Sequence, residues 1–257
     1  MKDNTQKSVF ITGGAARVGR HLALAMAEQG WKIHLHYNSK SDEAKDVADL
    51  IKQEGGDCDL YQADLSDAAA AENLITQLEC HNGQMALINN ASLFELDTAE
   101  NVSAEVIQRH MAVNMTAPAV MTKAFSALIK PHFPATRGAV INITDAKLSG
   151  LNPDYYSYTL SKIALDGLTT IAAQAYAPHL RVNGIAPGII LRSGDQTEEE
   201  YQIAHRRNPL GQGAMLDDIS RAVLMILDTM AMTGHTVTID GGLHLRPPNR
   251  DVAFLDE

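Results

Sequence analysis

Short β-rich runs alternate with amphipathic helical segments along almost the entire chain, and no other feature constrains the fold as strongly. Because parallel strands are joined by crossover helices, this alternation predicts an α/β fold with a doubly wound, central parallel sheet flanked by helices. The predicted strands span residues 8–12, 31–37, 57–62, 85–89, 138–143, 181–185 and 236–239. The predicted helices span residues 18–29, 41–54, 67–81, 103–130, 154–177 and 217–229. We expect the longest helix to bend at Pro118.

A length of 257 residues suits one α/β domain, and we predict that residues 1–257 form a single domain. One polar stretch, at about residues 189–213, shows no clear strand. Within it, Thr197 and Glu200 have the spacing of a capping box and predict a short helix. A stretch of this kind beside a site predicts a mobile substrate lid.

The composition excludes several classes of protein. A net charge of −10 argues against nucleic-acid binding. No apolar run approaches the ~20 residues of a membrane span, and the first ten residues lack the apolar core of a signal peptide. Cys58 and Cys80 show no motif spacing and are expected to be free thiols in a reducing compartment. We therefore predict a cytoplasmic protein without a membrane or nucleic-acid partner.

A glycine-rich turn follows the first predicted strand and leads into a helix. Its glycines, Gly13 and Gly19, would let the backbone approach a pyrophosphate, while the start of the helix, near Val18, offers free N–H groups and a positive dipole. The strand–turn–helix context is the one that a dinucleotide site requires. We therefore predict a dinucleotide cofactor here.

The end of the second strand indicates which cofactor binds. An NAD site places an acidic residue about 20 positions past the turn, but here the predicted contacts are His36, Tyr37, Asn38 and Ser39. Arg17 stands in the turn itself, and a cation with neutral donors suits the 2′-phosphate of NADPH. Asp64 and Leu65 follow the third predicted strand. They would hold the adenine edge of the cofactor, or Asp64 would cap the next helix, or both. His34 and His36 lack a further ligand, so we predict no metal site.

Tyr158 and Lys162 lie four residues apart in a predicted helix and therefore on one face. A lysine ammonium near a phenol lowers the pKa of the tyrosine and makes it a usable proton donor near neutral pH. Alone this spacing is weak evidence for a catalytic pair, and the glycine turn and the strand–helix alternation make it strong evidence.

These features resemble the short-chain dehydrogenase/reductase family along essentially the whole chain. The matching motifs are the glycine turn, Asn89-Asn90-Ala91, Asn114, the Tyr158/Lys162 pair and Pro187-Gly188. The resemblance implies a Rossmann-type fold and hydride transfer from a nicotinamide. It implies that Lys162 holds the nicotinamide ribose, that Asn114 positions a water, and that cofactor contacts include Asn90, Ala91, Pro187, Gly188 and Ile190.

Two departures from the common family pattern are similar to pteridine reductases and bacterial dihydromonapterin reductases. Arg17 replaces a glycine of the turn, and Asp145 replaces the usual catalytic serine. Phe94 matches the aromatic residue that stacks on the pterin ring in those enzymes. A further departure, Arg192 in place of a threonine, puts the usual hydroxyl contact to the pyrophosphate in doubt.

Charge supports the pteridine interpretation of Asp145. An ionised carboxylate cannot donate a hydrogen bond and would repel the oxyanion formed in carbonyl reduction, whereas it can accept from pterin N–H groups. It would also raise the pKa of Tyr158, opposing the effect of Lys162. The predicted substrate contacts are Arg17, Ser92, Phe94, Asp145 and Tyr158.

We therefore predict NADPH-dependent reduction of a dihydropterin, dihydromonapterin or dihydrobiopterin, with dihydrofolate as a poor side substrate. The alternatives are a carbonyl or 3-oxoacyl reductase of the same fold and a catalytically silent NADP(H)-sensing regulator. The family resemblance also implies a homotetramer built on two long helices. The helix face expected to need a partner carries Ala164, Leu165, Leu168, Ala172 and Ala173, and Arg246 in the tail is expected to reach a neighbour's site.

Overall fold

Seven parallel strands form one sheet in the computed structural model, which describes residues 6–192, 196–251 and 254. The strands are β1 (Gln6–Ile11), β2 (Lys32–Tyr37), β3 (Cys58–Gln62), β4 (Gly83–Asn89), β5 (Thr136–Ile143), β6 (Leu180–Pro187) and β7 (Thr236–Ile239). Their order in the sheet is β3-β2-β1-β4-β5-β6-β7, and every neighbouring pair is parallel. The predicted doubly wound α/β architecture is confirmed.

Helices connect successive strands and cover both faces of the sheet. They are α1 (Arg17–Glu28), α2 (Ser41–Gln53), α3 (Ala68–Thr76), α4 (Ala104–Met111), α5 (Ala117–Ile129), α6 (Tyr156–Tyr176), α7 (Glu198–His205) and α8 (Leu216–Asp228). The prediction that α3 runs to residue 81 is wrong. Because β4 begins at Gly83, the chain needs the residues after Thr76 to turn back into the sheet.

The predicted single helix over 103–130 is two α-helices joined by a π-helical turn, Ala112–Thr116. In this turn the Ala117 N–H donates to the Ala112 carbonyl, five residues back. Pro118 has no N–H to donate to the carbonyl of Asn114, four residues earlier, so it cannot continue an ordinary α-helical ladder. The irregularity therefore lies before Pro118, and Pro118 itself sits in the first turn of α5.

Two apolar layers enclose the sheet. Residues of α1, α2 and α8, such as Leu22, Val47 and Val223, pack on one face. Residues of α3, α5 and α6, such as Leu74 and Phe125, pack on the other. Burial of both faces explains why the central strands read as almost continuous apolar runs.

The helix face predicted to need a partner is largely internal. Leu165, Ala172 and Ala173 of α6 are buried in this chain's own core, because these positions face the sheet. A different stripe of α6 is exposed: Leu160, Ile163 and Ile171 follow one another at helical spacing on its outer side.

The strand order reverses between β1 and β4, whose carboxyl ends therefore diverge into a crevice. Ligands of open α/β sheets bind at such a switch point. In the part of the chain that the structure describes, no helix combines the length and apolar character needed to cross a bilayer.

Candidate active site

A cavity of about 840 Å³ lies at the carboxyl ends of β1, β2, β4, β5 and β6. It brings together most of the residues singled out from the sequence: Gly13, Arg17, Val18, Gly19, Tyr37, Asn38, Ser39, Asn90, Ala91, Ser92, Phe94, Asp145, Tyr158, Lys162, Pro187, Gly188 and Ile190. Four others, His36, Asp64, Leu65 and Asn114, are not on its wall. The cavity is continuous from the glycine turn to the Tyr158/Lys162 pair.

The glycine turn is held against the neighbouring strand by Asn90. Its Nδ2 donates to the carbonyls of Thr12 and Gly13 at 2.9 and 3.3 Å, and its N–H donates to the Thr12 hydroxyl at 2.9 Å. A Cβ at Gly19 would lie 2.1 Å from the Gly13 carbonyl oxygen, so only glycine allows this approach. Among the described residues no side chain caps the start of α1, and its first residues, Arg17, Val18 and Gly19, line the cavity.

His36 supports the turn from behind. Its Nδ1 accepts from the Gly13 N–H at 3.1 Å, and its Nε2 lies 3.2 Å from the Ala63 carbonyl. Burial lowers the pKa of His36, so the ring is neutral and its Nε2–H donates to Ala63. This buried residue positions the turn, and its predicted direct contact with a cofactor stays a prediction.

Arg17 has a backbone φ of 51°, in the left-handed region that glycine adopts most readily. Its Nη2 donates to the Arg192 carbonyl at 2.9 Å across the mouth of the cavity. Keeping a long cationic side chain in a strained conformation at this position favours a functional role for the guanidinium.

Asp64 and Leu65 follow β3 outside the cavity wall. The Asp64 carboxylate accepts from the Ser66 N–H at 2.9 Å, whereas the cap of α3 is Asp67, which accepts from Ala69 and Ala70. The suggestion that Asp64 caps the helix is therefore wrong. Leu65 packs into the core. Contact of either residue with an adenine ring stays a prediction.

Asp145 and Tyr158 form a direct hydrogen bond at the centre of the cavity. The phenol donates to Asp145 Oδ2 at 2.6 Å, while Asp145 Oδ1 accepts from the Lys147 N–H at 2.8 Å. Burial, and next the Asp145 charge, raise the pKa of Tyr158 well above its ordinary value. The shift has the direction predicted for Asp145, and the opposing effect predicted for Lys162 does not prevail, because burial and the carboxylate dominate. The phenol therefore holds its proton.

Lys162 lies beneath the tyrosine on the same helix. Its Nζ donates to the Ile143 carbonyl at 2.7 Å and is 5.6 Å from the centre of the Tyr158 ring. Burial lowers the pKa of Lys162 to about 8, and the Asp145 charge opposes that shift. The lysine thus titrates close to the physiological range.

Asn114, in the π-helical turn, fixes the loop after β4. Its Oδ1 accepts from the Leu93 N–H at 2.7 Å, and its Nδ2 donates to the Leu93 carbonyl and to the Ser161 hydroxyl, each at 2.9 Å. The loop on either side of Leu93 carries Ser92 and Phe94 on the cavity wall. The side chain therefore positions the wall, and a water-holding role stays a prediction.

An aromatic wall closes one side of the cavity, and sequence reasoning missed half of it. Phe94 stacks on Tyr155 with ring centres 4.2 Å apart, and it packs edge-to-face with Tyr158 with ring centres 4.7 Å apart. Tyr155 has a φ of 53°, a strained value for an aromatic residue. Tyr155 stands three residues before Tyr158 in a run of tyrosines, and this closeness in sequence could have identified it as a residue of the site.

Asp97 was also missed. Buried beside the first turn of α6, it accepts hydrogen bonds from the N–H and the hydroxyl of Ser157. A carboxylate at a helix N-terminus is stabilised by the helix dipole. Asp97 thereby ties the loop bearing Phe94 to the helix bearing Tyr158. Nothing in the sequence pairs residues 97 and 157.

The predicted lid and tail both reach the cavity. The capping box of Thr197 and Glu200 begins α7 as predicted, and Ile190 and Gln196 line the cavity on either side of residues 193–195, which lie outside the described part of the chain. In the tail, Pro247, Pro248 and Asp251 line this chain's own cavity, whereas Arg246 is exposed and off its wall.

The two histidines of β2 have hydrogen-bond partners within the protein. His34 Nδ1 lies 3.1 Å from the Tyr61 hydroxyl, and burial lowers the pKa of His34 to about 4. Across the described ranges, no group of three histidine, cysteine or acidic side chains converges on one point.

With this geometry in place, comparison with known proteins defines the class. The chain belongs to the short-chain dehydrogenase/reductase family of oxidoreductases: the family model described as enoyl-(acyl carrier protein) reductase matches residues 13–244. The crystal structure of FolM alternative dihydrofolate reductase 1 from Brucella canis complexed with NADP is similar, with a TM-score of 0.88 and 34% sequence identity. The match covers 95% of this chain and 96% of that one.

Curated relatives carry different names. The uncharacterized oxidoreductase YgfF of Escherichia coli (strain K12) is 30% identical, over 91% of this chain and 98% of that protein. The dihydromonapterin reductase of Citrobacter koseri is 26% identical, over 96% and 100%. The 3-oxoacyl-[acyl-carrier-protein] reductase FabG of Staphylococcus aureus is 27% identical, over 93% and 98%. Because relatives with different names have similar sequence identities, identity alone does not indicate the substrate. The residues of the site have to indicate it.

Proposed function

We propose that this protein reduces a dihydropterin, dihydromonapterin or dihydrobiopterin, to the tetrahydropterin with NADPH. The observation that carries the proposal is the Asp145–Tyr158 hydrogen bond facing the aromatic wall of Phe94 and Tyr155. A flat heterocycle with N–H groups matches an aromatic wall beside a carboxylate. The names of the dihydromonapterin reductase and FolM relatives agree with this chemistry.

The residues around the glycine turn fit a phosphorylated dinucleotide. The free N–H groups at the start of α1 and the close backbone approach at Gly19 suit a pyrophosphate. At the end of β2 the cavity is lined by Asn38, Ser39 and Lys40, with Arg17 nearby and no carboxylate among them. Such donors favour a 2′-phosphate over a bare ribose hydroxyl. The FolM relative, crystallised with NADP, agrees.

In the mechanism that we propose, the reduced nicotinamide, when bound, supplies the hydride. Tyr158 holds the proton that a ring nitrogen of the substrate requires, and Asp145 holds the phenol in place through Oδ2. Lys162, fixed on the Ile143 carbonyl, keeps a positive charge beneath the ring and stabilises negative charge left on the phenol. Phe94 would orient the heterocycle.

The direct test is NADPH oxidation measured against a panel of dihydropterins, dihydrofolate, a 3-oxoacyl thioester and simple ketones. We expect turnover of the dihydropterins and weaker turnover of dihydrofolate. Preference for the 3-oxoacyl thioester would replace the proposal with the FabG-like alternative. Cofactor binding without turnover of any compound would favour an NADP(H)-sensing regulator.

Replacement of Arg17 by glycine is expected to weaken NADPH binding about tenfold, the loss of one charge-assisted hydrogen bond, with a smaller effect on NADH. The parent enzyme should have a higher kcat/KM with NADPH than with NADH. Because glycine relieves the strained backbone at this position, unfolding cannot explain the loss, and thermal melting without cofactor checks this. Arg20→Ala, on the same helix and off the cavity wall, is the control. Equal kcat/KM values for NADPH and NADH in the parent enzyme would contradict the NADPH assignment.

Replacement of Phe94 by alanine is expected to raise the KM for the dihydropterin while NADPH affinity stays close to that of the parent. Loss of one aromatic stack costs about 1 kcal/mol beyond lost area, which predicts an increase of at least about fivefold. The control is Leu96→Ala, an exposed apolar residue of the same loop that does not line the cavity. An unchanged KM would remove Phe94 from the substrate site.

We propose a homotetramer in which the exposed stripe of α6 is covered by a second copy. Ile171 is 65% exposed, and with Leu160 and Ile163 it forms an apolar ridge on an outer helix. Light scattering of the parent should give an oligomer, and Ile163→Glu should dissociate it. Leu210→Glu changes a still more exposed apolar residue away from α6 and should leave the oligomer intact. A monomeric parent would refute the assembly.

We propose that residues about 189–213 act as a substrate lid on a single domain, in line with the contact of Tyr201 with the Ile190 carbonyl at 2.7 Å.

We also propose a cytoplasmic location in tetrahydropterin and folate metabolism, consistent with the free thiols of Cys58 and Cys80.

A further inference from the structure

The C-terminal segment, residues 247–251, folds back onto the loop that precedes α6. Arg250 Nε donates to both carboxylate oxygens of Asp154 at 3.0 and 2.9 Å, and the Asp251 N–H donates to Oδ2 at 2.6 Å. The Asp154 side chain is only 5% exposed. Although burial opposes ionisation, the hydrogen bonds from Arg250 and Asp251 lower the pKa of Asp154. An ionised, buried carboxylate thus clamps the segment.

A second contact fixes the same segment independently. Pro247 lies so close to Gly150 that a Cβ at residue 150 would stand 2.0 Å from the Pro247 Cβ. Both residues line the cavity. The C-terminal segment is therefore seated at two points on the loop between β5 and α6, and it forms part of the cavity wall.

The clamp brings Asp251 to a buried lysine. Lys147 Nζ lies 3.8 Å from Asp251 Oδ2, and their side chains are 10% and 20% exposed. The Lys147 ammonium also donates to the Asp154 carbonyl. Burial lowers the pKa of Lys147, with Asp251 and Asp145 opposing the shift, so the surrounding carboxylates help to retain its charge. Both members of the pair line the cavity.

This pair stands at the outer end of the aromatic wall. The Lys147 Nζ is 5.6 Å from the centre of the Tyr155 ring, and Tyr155 stacks on Phe94. Lys147 is two residues from Asp145, which contacts the Tyr158 phenol. A heterocycle placed between Phe94 and Asp145 would therefore direct a ring substituent toward Lys147 and Asp251.

We propose that Lys147 and Asp251, set by the C-terminal segment, recognise a hydroxylated, uncharged side chain on the pterin ring. The inference rests on the proposed function and names the part of the substrate that this end of the cavity reads. An ammonium donates and a carboxylate accepts, which together match the two capacities of neighbouring hydroxyl groups. The pair is thus a specificity determinant, and Asp154 is the residue that positions it.

Charge favours an uncharged substituent here. Five charged groups lie together: the cations Lys147 and Arg250 and the carboxylates of Asp145, Asp154 and Asp251. Their sum is −1, so a substituent that carries its own carboxylates gains little attraction. A neutral polyol can donate hydrogen bonds to Asp251 and accept them from Lys147 without placing a further negative charge in this cluster.

The test compares 7,8-dihydromonapterin, which carries a hydroxylated side chain, with 6,7-dimethyl-7,8-dihydropterin, which has none. The readout is the ratio of the two KM values, with the dimethyl compound as denominator. In Asp251→Asn and Lys147→Met this ratio should rise about tenfold, the loss of one charge-assisted hydrogen bond. Asp154→Asn, which weakens the clamp, should raise it in the same direction. Asp46→Asn, exposed on α2 and remote from the cavity, is the matched control.

The outcomes separate the two proposals. NADPH affinity and melting temperature of each variant establish that it is folded. A parent that reduces both pterins, with variants whose KM ratio equals that of the parent, overturns this inference alone. A parent that reduces neither pterin overturns the proposed function and this inference with it.

Discussion

Replacement of Tyr158 by phenylalanine is expected to lower kcat by roughly 10²- to 10⁴-fold, the contribution of a positioned general acid. The substitution removes only the hydroxyl that donates to Asp145 Oδ2 at 2.6 Å, and the ring keeps its contacts with Phe94 and Lys162. NADPH binding should therefore survive. Steady-state oxidation of NADPH with a dihydropterin measures the loss, and fluorescence titration measures cofactor affinity.

The matched control for this variant is Tyr156→Phe, which removes a hydroxyl two residues away on the same helix and off the cavity wall. Its kcat should stay within about twofold of the parent. If Tyr158→Phe retains parental kcat, then the proton comes from another group, and the mechanism proposed for the Asp145–Tyr158 pair fails.

Replacement of Asp145 by serine is expected to lower kcat/KM for the dihydropterin by about 100-fold, at the low end for a group that positions an acid. Serine supplies a hydroxyl donor in place of an acceptor, so some ketone reduction should appear. Asp49→Ser, on the exposed side of α2, controls for loss of one negative charge. Unchanged substrate preference would remove Asp145 as the determinant of specificity.

The same variant changes the pH profile in a direction that can be worked out. In the parent, Tyr158 stays protonated because its pKa is raised, whereas Lys162, with a pKa of about 8, loses its positive charge as pH rises. In the proposed mechanism, reduction requires both the phenol proton and the Lys162 cation, so activity should fall above about pH 8. Asp145 raises the pKa of both groups, and its removal should move the falling limb to lower pH. A limb that stays in place would contradict this coupling.

The sequence determined the fold and the inner part of the site. Strand–helix alternation predicted the parallel sheet because the spacing of apolar residues in each strand or helix reflects which of its faces is buried. The glycine turn and the Tyr158/Lys162 pair were predictable because their members are separated by a few residues within one element, so local geometry alone brings them together. The departure at Asp145 was recognised from the family resemblance, because Asp145 stands two residues after the end of β5, where the common family pattern has a serine.

Tertiary structure decided the direction of the Tyr158 pKa and the outer wall of the cavity. Burial of the phenol depends on every element packed around it, and the spacing of a lysine gives no measure of that desolvation. Asp97 meets Ser157, and Asp154 meets Arg250, across sequence separations of 60 and 96 residues. Such pairs leave no local pattern, because only the packed sheet and helices bring their side chains into contact.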